Sequence, residues 1–201
     1  MENNIKPESQ NTKMAVAGLT AAYDCFTALQ TFAPAVANIA KICTDAIARG
    51  NKVMFCGNGG SASQSQHLAA ELVGRFMLNR PAMASIALTV DTSVLTAVGN
   101  DYGFDTVFAR QVQGLGRSGD VLIGLSTSGN SENVIRAFQM ASTMGIKTIA
   151  FTGAKPSRMA EIADDTIAVP STVSANIQEM HLCIGHIICG IIEHDIYGGI
   201  K

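Results

Sequence analysis

Charge is what this chain has least of. Only 15% of its 201 residues are Asp, Glu, Lys or Arg, where a soluble domain usually carries about 25%. The net charge is −2, so no global attraction to nucleic acid exists. There is no run of lysines or arginines and no aromatic-studded basic strand, and a nucleic-acid partner is not expected. The five cysteines (Cys25, Cys43, Cys56, Cys183 and Cys189) are odd in number and form no CxxC. That excludes an obvious disulfide framework or zinc ribbon and predicts reduced, mostly buried thiols in a cytoplasmic protein. Residues 182–192 are the most apolar C-terminal stretch, but they are too short to span a bilayer and carry His186. Residues 14–23 are mildly apolar behind Lys13, yet lack the basic cluster of a secretion signal and sit inside a longer helical pattern. With no lipidation motif either, no membrane partner is expected.

What is present is apolar: 47% of the chain is hydrophobic. At this length a single domain, residues 1–201, can bury a sizeable core. The shortage of charge reads as surface buried between subunits. Residues 1–12 are polar and expected to fray. Residues 12–49 read as helix, which Pro34 divides near residues 31–34, and Gly50-Asn51 ends the second helix. Strands are expected at 53–56, 85–88, 121–125, 148–151 and 166–169. Helices are expected at 63–78, 92–98, 106–115, 132–144, 157–163 and 174–197. Strands separated by helices argue for right-handed crossovers and a parallel sheet. The fold class is therefore α/β, a three-layer sandwich around a five-stranded parallel sheet, preceded by N-terminal helices at about 12–50.

In such open sheets ligands bind beyond the carboxyl ends of the strands. Two loops leave that edge, Gly57-Asn58-Gly59-Gly60-Ser61-Ala62-Ser63 and Ser126-Thr127-Ser128-Gly129-Asn130-Ser131. In the second, Ser126, Thr127, Ser128 and Ser131 offer more hydroxyls than one helix cap needs. The helix that follows adds unpaired N–H groups and partial positive charge, as in phosphate sites. Two lookalikes fail. The first loop fits a loosened GxGxxA dinucleotide pattern, but the nearest candidate for the acid that should end the next strand, Asp91, lies too far on. Gly124-Leu125-Ser126-Thr127-Ser128 resembles a nucleophile elbow, but Ser replaces the second glycine and no base is paired with Ser126.

His67 and Glu71 are four residues apart and share a helix face, able to act on one substrate or bind one metal. The last helix adds Gln178, Glu179, His181 and His186. On helical spacing alone, Glu179 superposes best on His186 while Gln178 diverges by roughly 80°. The histidines also fit as hydrogen-bonded core residues. Asn100-Asp101 reads as a polar turn or cap, or as a sugar-hydroxyl contact.

The strings GNGGSASQSQHLAAELVGRF, AVGNDYGFDTVFARQV, GDVLIGLSTSGNSENVI and IQEMHLCIGH resemble the phosphoheptose isomerases of the sugar isomerase (SIS) family. The likeness spans about residues 35–198, with an SIS core of about 35–201. It implies a cytoplasmic homotetramer with active sites between subunits. It also implies isomerisation of a phosphorylated seven-carbon sugar, sedoheptulose 7-phosphate, to D-glycero-D-manno-heptose 7-phosphate, the first step of heptose synthesis for lipopolysaccharide or capsule. By motif, Ser126, Thr127, Ser128 and Ser131 would hold the phosphate. Asn58, Gly59, Gly60, Asn100, Asp101, Glu71 and Gln178 would contact the sugar. His67, Glu71, Gln178 and His186 would form a metal site for one zinc per subunit, and Glu71 and His186 the acid–base pair. The resemblance thus prefers Gln178 to Glu179. Many relatives carry Asp where this chain has Gln64, an amide that cannot take a proton. A non-catalytic SIS adaptor for the replication initiator DnaA is the alternative from another class, but that relative lacks counterparts of Glu71 and His186. A nearer alternative is an SIS isomerase for another sugar phosphate, such as arabinose 5-phosphate.

Overall fold

A computed structural model describes residues 9–198. The expected fraying of residues 1–8 and the last three residues of the expected SIS core lie outside them. Helix α1 (Gln10–Leu29) begins before residue 12 because the Ser9 hydroxyl accepts from the Thr12 N–H at 3.1 Å and so caps the helix. A 3-10 turn (Gln30–Phe32) leads into α2 (Ala33–Ala48), where Pro34 occupies the first turn. There its missing N–H sacrifices no helical bond, so the break falls where the sequence places it.

Five strands follow: β1 (Val53–Gly57), β2 (Ser85–Ala87), β3 (Val121–Leu125), β4 (Lys147–Thr152) and β5 (Asp165–Ala168). All pair in parallel, in the order β2-β1-β3-β4-β5. The remaining helices are α3 (Gly60–Val73), α4 (Thr92–Tyr102), α5 (Val107–Leu115), α6 (Glu132–Thr143), α7 (Arg158–Ile162) and α8 (Ser174–Tyr197). Alternate strand residues point to opposite faces. Val53, Phe55, Ile123 and Phe151 pack with α2, α3 and α8, whereas Met54, Cys56, Leu122 and Ala150 pack with α5, α6 and α7. This is the expected three-layer sandwich.

Two helix C-terminal ends differ from expectation by more than one residue, and α3 begins at Gly60 rather than residue 63. α4 runs on to Tyr102, so Asn100 and Asp101 lie in its last turn rather than in a loop. α3 stops at Val73, five residues short of expectation. The segment beyond it turns away because the N–H groups of Phe76, Met77 and Leu78 all donate to the Glu193 carboxylate, at 3.1, 2.7 and 2.8 Å. α8 has the length and apolar character of a membrane span, with a mean hydropathy of 1.2 over its most apolar window. It is a core helix: Ile177, Met180, Ile184, Ile188 and Ile192 are buried against the sheet. All five cysteines are free, and Cys43, Cys56 and Cys189 are buried. Burial pushes the Cys189 thiol up to about 12, which leaves it unreactive.

α1 and α4 differ from the other α-helices in that neither has a buried residue, and in α1 Met14, Leu19 and Tyr23 are 65%, 73% and 70% exposed. A contiguous apolar face on an outer helix marks an interaction surface.

Three carboxylates staple the layers. Asp120 accepts from Lys52 Nζ, from the Lys52 and Arg117 amides and from Asn51. Asp164 accepts from the amide and hydroxyl of Thr148, and Glu193 from the three amides above and Arg80. Burial works to raise each carboxyl, but these donors prevail and hold all three below the ordinary carboxylate range. A depressed folded value gives stability that is full above the unfolded value, about 4, and lost as pH falls through the lower folded one. The urea midpoint is therefore expected to fall steeply below about pH 4, and Asp120→Asn to flatten that limb. An unchanged limb in Asp120→Asn would remove Asp120 from the account.

Candidate active site

β1 and β3 meet at the point where the strand order reverses, the crevice in which open α/β sheets bind ligands. Their register sets Gly57 opposite Leu125, so both loops leave the sheet at one height. Asn58 and Asn133 then exchange paired amide bonds, each 2.9 Å, across the gap. Asn133 is buried. It was not singled out from sequence, although its place at the start of the helix after the seryl loop was visible.

The second loop is braced from within. Ser126 Oγ is buried, lies 2.9 Å from Ser131 Oγ, and accepts from the Gly129 N–H. It has no acidic or imidazole partner, which disposes of the nucleophile-elbow reading. Asp91 serves as the N-cap of α4, not as a ribose contact. Ser131 occupies the N-cap position of α6 without a capping side-chain bond, so the first N–H groups of this helix remain available to an anion. Thr127, Ser128 and Asn130 line a cleft of about 280 Å³ with Lys155, Ser171 and Thr172. The last two hydroxyls were missed from sequence. They sit beyond β5, and only the fold brings them to the seryl loop.

The first loop leads into α3, with Gly59 at its N-cap. Gly60 is needed for a close approach: a Cβ there would lie 2.5 Å from Gln178 Nε2. Gln178 therefore packs on the first loop from α8, while Glu179 is exposed. Of the two, Gln178 rather than Glu179 is the residue that meets the first loop. Gln64 Nε2 donates to the Gln178 carbonyl at 2.6 Å, and Gln64 Oε1 is buried with no partner. Asn100 and Asp101 are exposed and bonded to each other at 2.8 Å.

Further along α3 and α8, His67, Glu71 and His186 converge, with one donor atom from each within 4.8 Å of the others. His67 Nε2 is 2.8 Å from His186 Nε2 and 3.2 Å from Glu71 Oε1. At 2.8 Å one ring nitrogen must donate and the other accept. Burial lowers the basicity of His186, the charge of His67 lowers it further, and Glu71 opposes both. Phe76 stacks on His186 at 5.7 Å. His181, by contrast, is the hydrogen-bonded core histidine. It is fully buried, bonds the Thr152 carbonyl at 3.1 Å, and is depressed by burial to about 4. Two imidazoles and one carboxylate are a donor set that zinc accepts with a position left open, so the residues present fit that metal.

Comparison with known proteins gives the family. The SIS domain family matches residues 20–153. A phosphoheptose isomerase of Akkermansia muciniphila is 60% identical over 176 residues, 88% of this chain and 93% of that one. The chain belongs to the phosphoheptose isomerases of the SIS family. A Rhodospirillum rubrum phosphoheptose isomerase is 54% identical, over 86% of this chain and 92% of its own. The solved phosphoheptose isomerase of Francisella tularensis superposes with a TM-score of 0.89 at 36% identity, covering 92% of this chain and all of that one.

In this SIS-family chain the Asn58–Asn133 pair is, among the described residues, the one direct side-chain link between the first loop and the start of α6, the helix that follows the second. Asn133→Ala leaves the Asn58 amide unpaired and is expected to cost about 1–3 kcal/mol, read as a lower urea midpoint. A midpoint equal to wild type would show that the loops hold their places without it.

Proposed function

We propose that the chain is an aldose–ketose isomerase that interconverts sedoheptulose 7-phosphate and D-glycero-D-manno-heptose 7-phosphate. The observation that carries this reading is the convergence of Glu71 and His186 on one point. Such an isomerisation moves a proton between C1 and C2 through a cis-enediol. It needs a base for the carbon-bound proton and an acid for the carbonyl oxygen. Glu71 and His186 divide these transfers.

Thr127, Ser128 and the free N-terminus of α6, with Ser126 and Ser131 shaping the loop, hold the phosphate. Binding energy taken at that remote end positions the reacting carbons. Asn58, Gly59, Gly60 and Gln178 form the sugar-side wall, which Gln64 braces by donating to the Gln178 carbonyl. His67, Glu71 and His186 would hold the zinc, with Gln178 beside them on the sugar side. When bound, the metal supplies Lewis-acid polarisation of the carbonyl; an atom held on the metal does not carry a proton, so ligation and proton transfer by Glu71 and His186 belong to different states. The proposed site is cytoplasmic, consistent with five free thiols, and the product feeds heptose synthesis for lipopolysaccharide or capsule. A non-catalytic adaptor would have no use for an assembled carboxylate–imidazole group.

The proposed assembly is a homotetramer with active sites between subunits, to which the uncovered faces of α1 and α4 contribute. Exposed Asn100 and Asp101 then meet the sugar across a subunit boundary. Leu19→Glu with Tyr23→Glu should shift the chain to smaller species in light scattering, and an unchanged mass would exclude α1 from the interface.

Glu71→Gln and His186→Asn should stay folded and lose at least about a hundredfold in turnover of sedoheptulose 7-phosphate. A near-wild-type rate in either removes that residue from the mechanism. A panel including arabinose 5-phosphate decides the sugar, and metal analysis of protein purified without chelator decides zinc.

A further inference from the structure

We propose that the buried Arg80–Glu193 pair is a positioning clamp that sets Glu71 against His186. The inference rests on the isomerase reading for its kinetic test, and on geometry alone for its spectroscopic one.

Both side chains are almost wholly buried, at 1% and 2% exposure, and meet at 2.8 Å. In a chain so poor in charge, this pair is placed with unusual completeness of bonding. Glu193 accepts from Arg80 Nε and from the Phe76, Met77 and Leu78 amides. Arg80 gives its other donors to backbone carbonyls: Nη2 to Glu71 at 2.8 Å, and Nη1 to Leu72 at 2.9 Å and Pro81 at 3.0 Å. One guanidinium thus grips the peptide carbonyl of a reacting residue itself.

The other end of the clamp belongs to the helix of the other reacting residue. Glu193 follows His186 by seven residues on α8, two turns on and nearly the same face. Fixing Glu193 to Arg80 therefore fixes the rise of α8 relative to the last turn of α3. The same bonds fold the segment after α3 back on itself, and that fold lays the Phe76 ring on His186 at 5.7 Å with an 18° interplanar angle. His67 meets the same imidazole edge-on, at 5.0 Å and 75°. His186 is held between two rings, and one of them is placed by the clamp.

A buried ion pair alone is weak evidence of stabilisation, because desolvation offsets its attraction. What this pair supplies is direction. A planar five-donor fork can bridge a carboxylate and two successive carbonyls only in one arrangement. Lysine, with a compact ammonium, cannot make that set. Glutamine at 193 would point N–H donors at N–H donors.

Arg80→Lys and Glu193→Gln test the clamp at a temperature where circular dichroism and mass match wild type. With sedoheptulose 7-phosphate, kcat is expected to fall at least tenfold while KM stays within twofold, since the phosphate loop is untouched. In a Glu71→Gln background either change should lower the residual rate by less than twofold, because the clamp acts through Glu71 and its partner. A kcat within twofold of wild type, a loss carried by KM alone, or a fully additive loss overturns the proposal. If both variants fail to fold, Phe76→Leu leaves both charges in place; a severalfold fall in kcat with KM unchanged supports the clamp, and an unchanged kcat overturns it. If the wild-type chain turns over no phosphosugar, the isomerase reading fails separately. Histidine-labelled protein then decides the clamp: ring resonances of His67 and His186 should move in Arg80→Lys while those of His181 and His194 do not. Unmoved His67 and His186 signals overturn it.

Discussion

The in-register parallel pairing of β1 with β3 is the constraint on which the site depends. Because Gly57 stands opposite Leu125, two loops far apart in sequence start level with each other at the reversal of strand order. A slip of one residue would turn every side chain of a strand to the wrong face. It would bury the wrong set against α3 and α8, and it would pull Asn58 away from Asn133. The register is secured at the far end of the same strands, where Asp120 binds Lys52 and Asn51. A charge pair at the bottom of the sheet thus helps decide which loop atoms meet at the top.

The proposed reacting group arises one layer out, from the packing of two helices. α3 and α8 approach closely where Gly185 lies against Leu68, at a distance that leaves no room for a Cβ (2.5 Å). That contact brings the outer edges of the helices together, and His67, Glu71 and His186 occupy those edges. The cluster is neither deeply buried nor free in water. Partial desolvation lowers the basicity of His186, and Glu71 beside it opposes that shift.

The sequence disclosed most of this because its signals are local. Strand–loop–helix alternation, the hydroxyl-rich second loop and the His67–Glu71 spacing all lie within a few residues of one another, and each was found where the structure has it. What escaped depends on separations too long for any periodicity to report. Asn133 pairs with a residue 75 positions away. Glu193 meets Arg80 across 113 positions, and in the run Glu193-His194-Asp195 it looks like part of a solvated tail. The early end of α3 was missed for the same reason, because the charge that draws Phe76, Met77 and Leu78 out of the helix sits on α8. Choosing between Gln178 and Glu179 needed the position of Gly60, which helical angles alone do not supply. Asn100 and Asp101 were read as a turn because two polar residues before Tyr102-Gly103 look like a loop. In fact α4 runs through both of them and stops only at Gly103, where φ is +87°.

A substrate held by its phosphate at one end and its carbonyl at the other needs both groups to face the same space. In one chain the seryl-loop cleft is lined by residues from the ends of β3, β4 and β5 and the start of α8, and none of His67, Glu71 or His186 is among them. The surface around the reacting group is open and partly apolar, with Val73 and Met77 46% and 74% exposed, and Ile187 beside His186 at 47%. Exposed apolar side chains around a desolvation-sensitive proton-transfer site are a poor arrangement for a lone monomer, since water there would screen Glu71 and hydrate His186. The same groups become walls once another subunit covers them. In the proposed assembly the low charge of the chain and the placement of its proposed reacting residues have one cause: outer surface that faces another copy, with the chemistry set at that boundary.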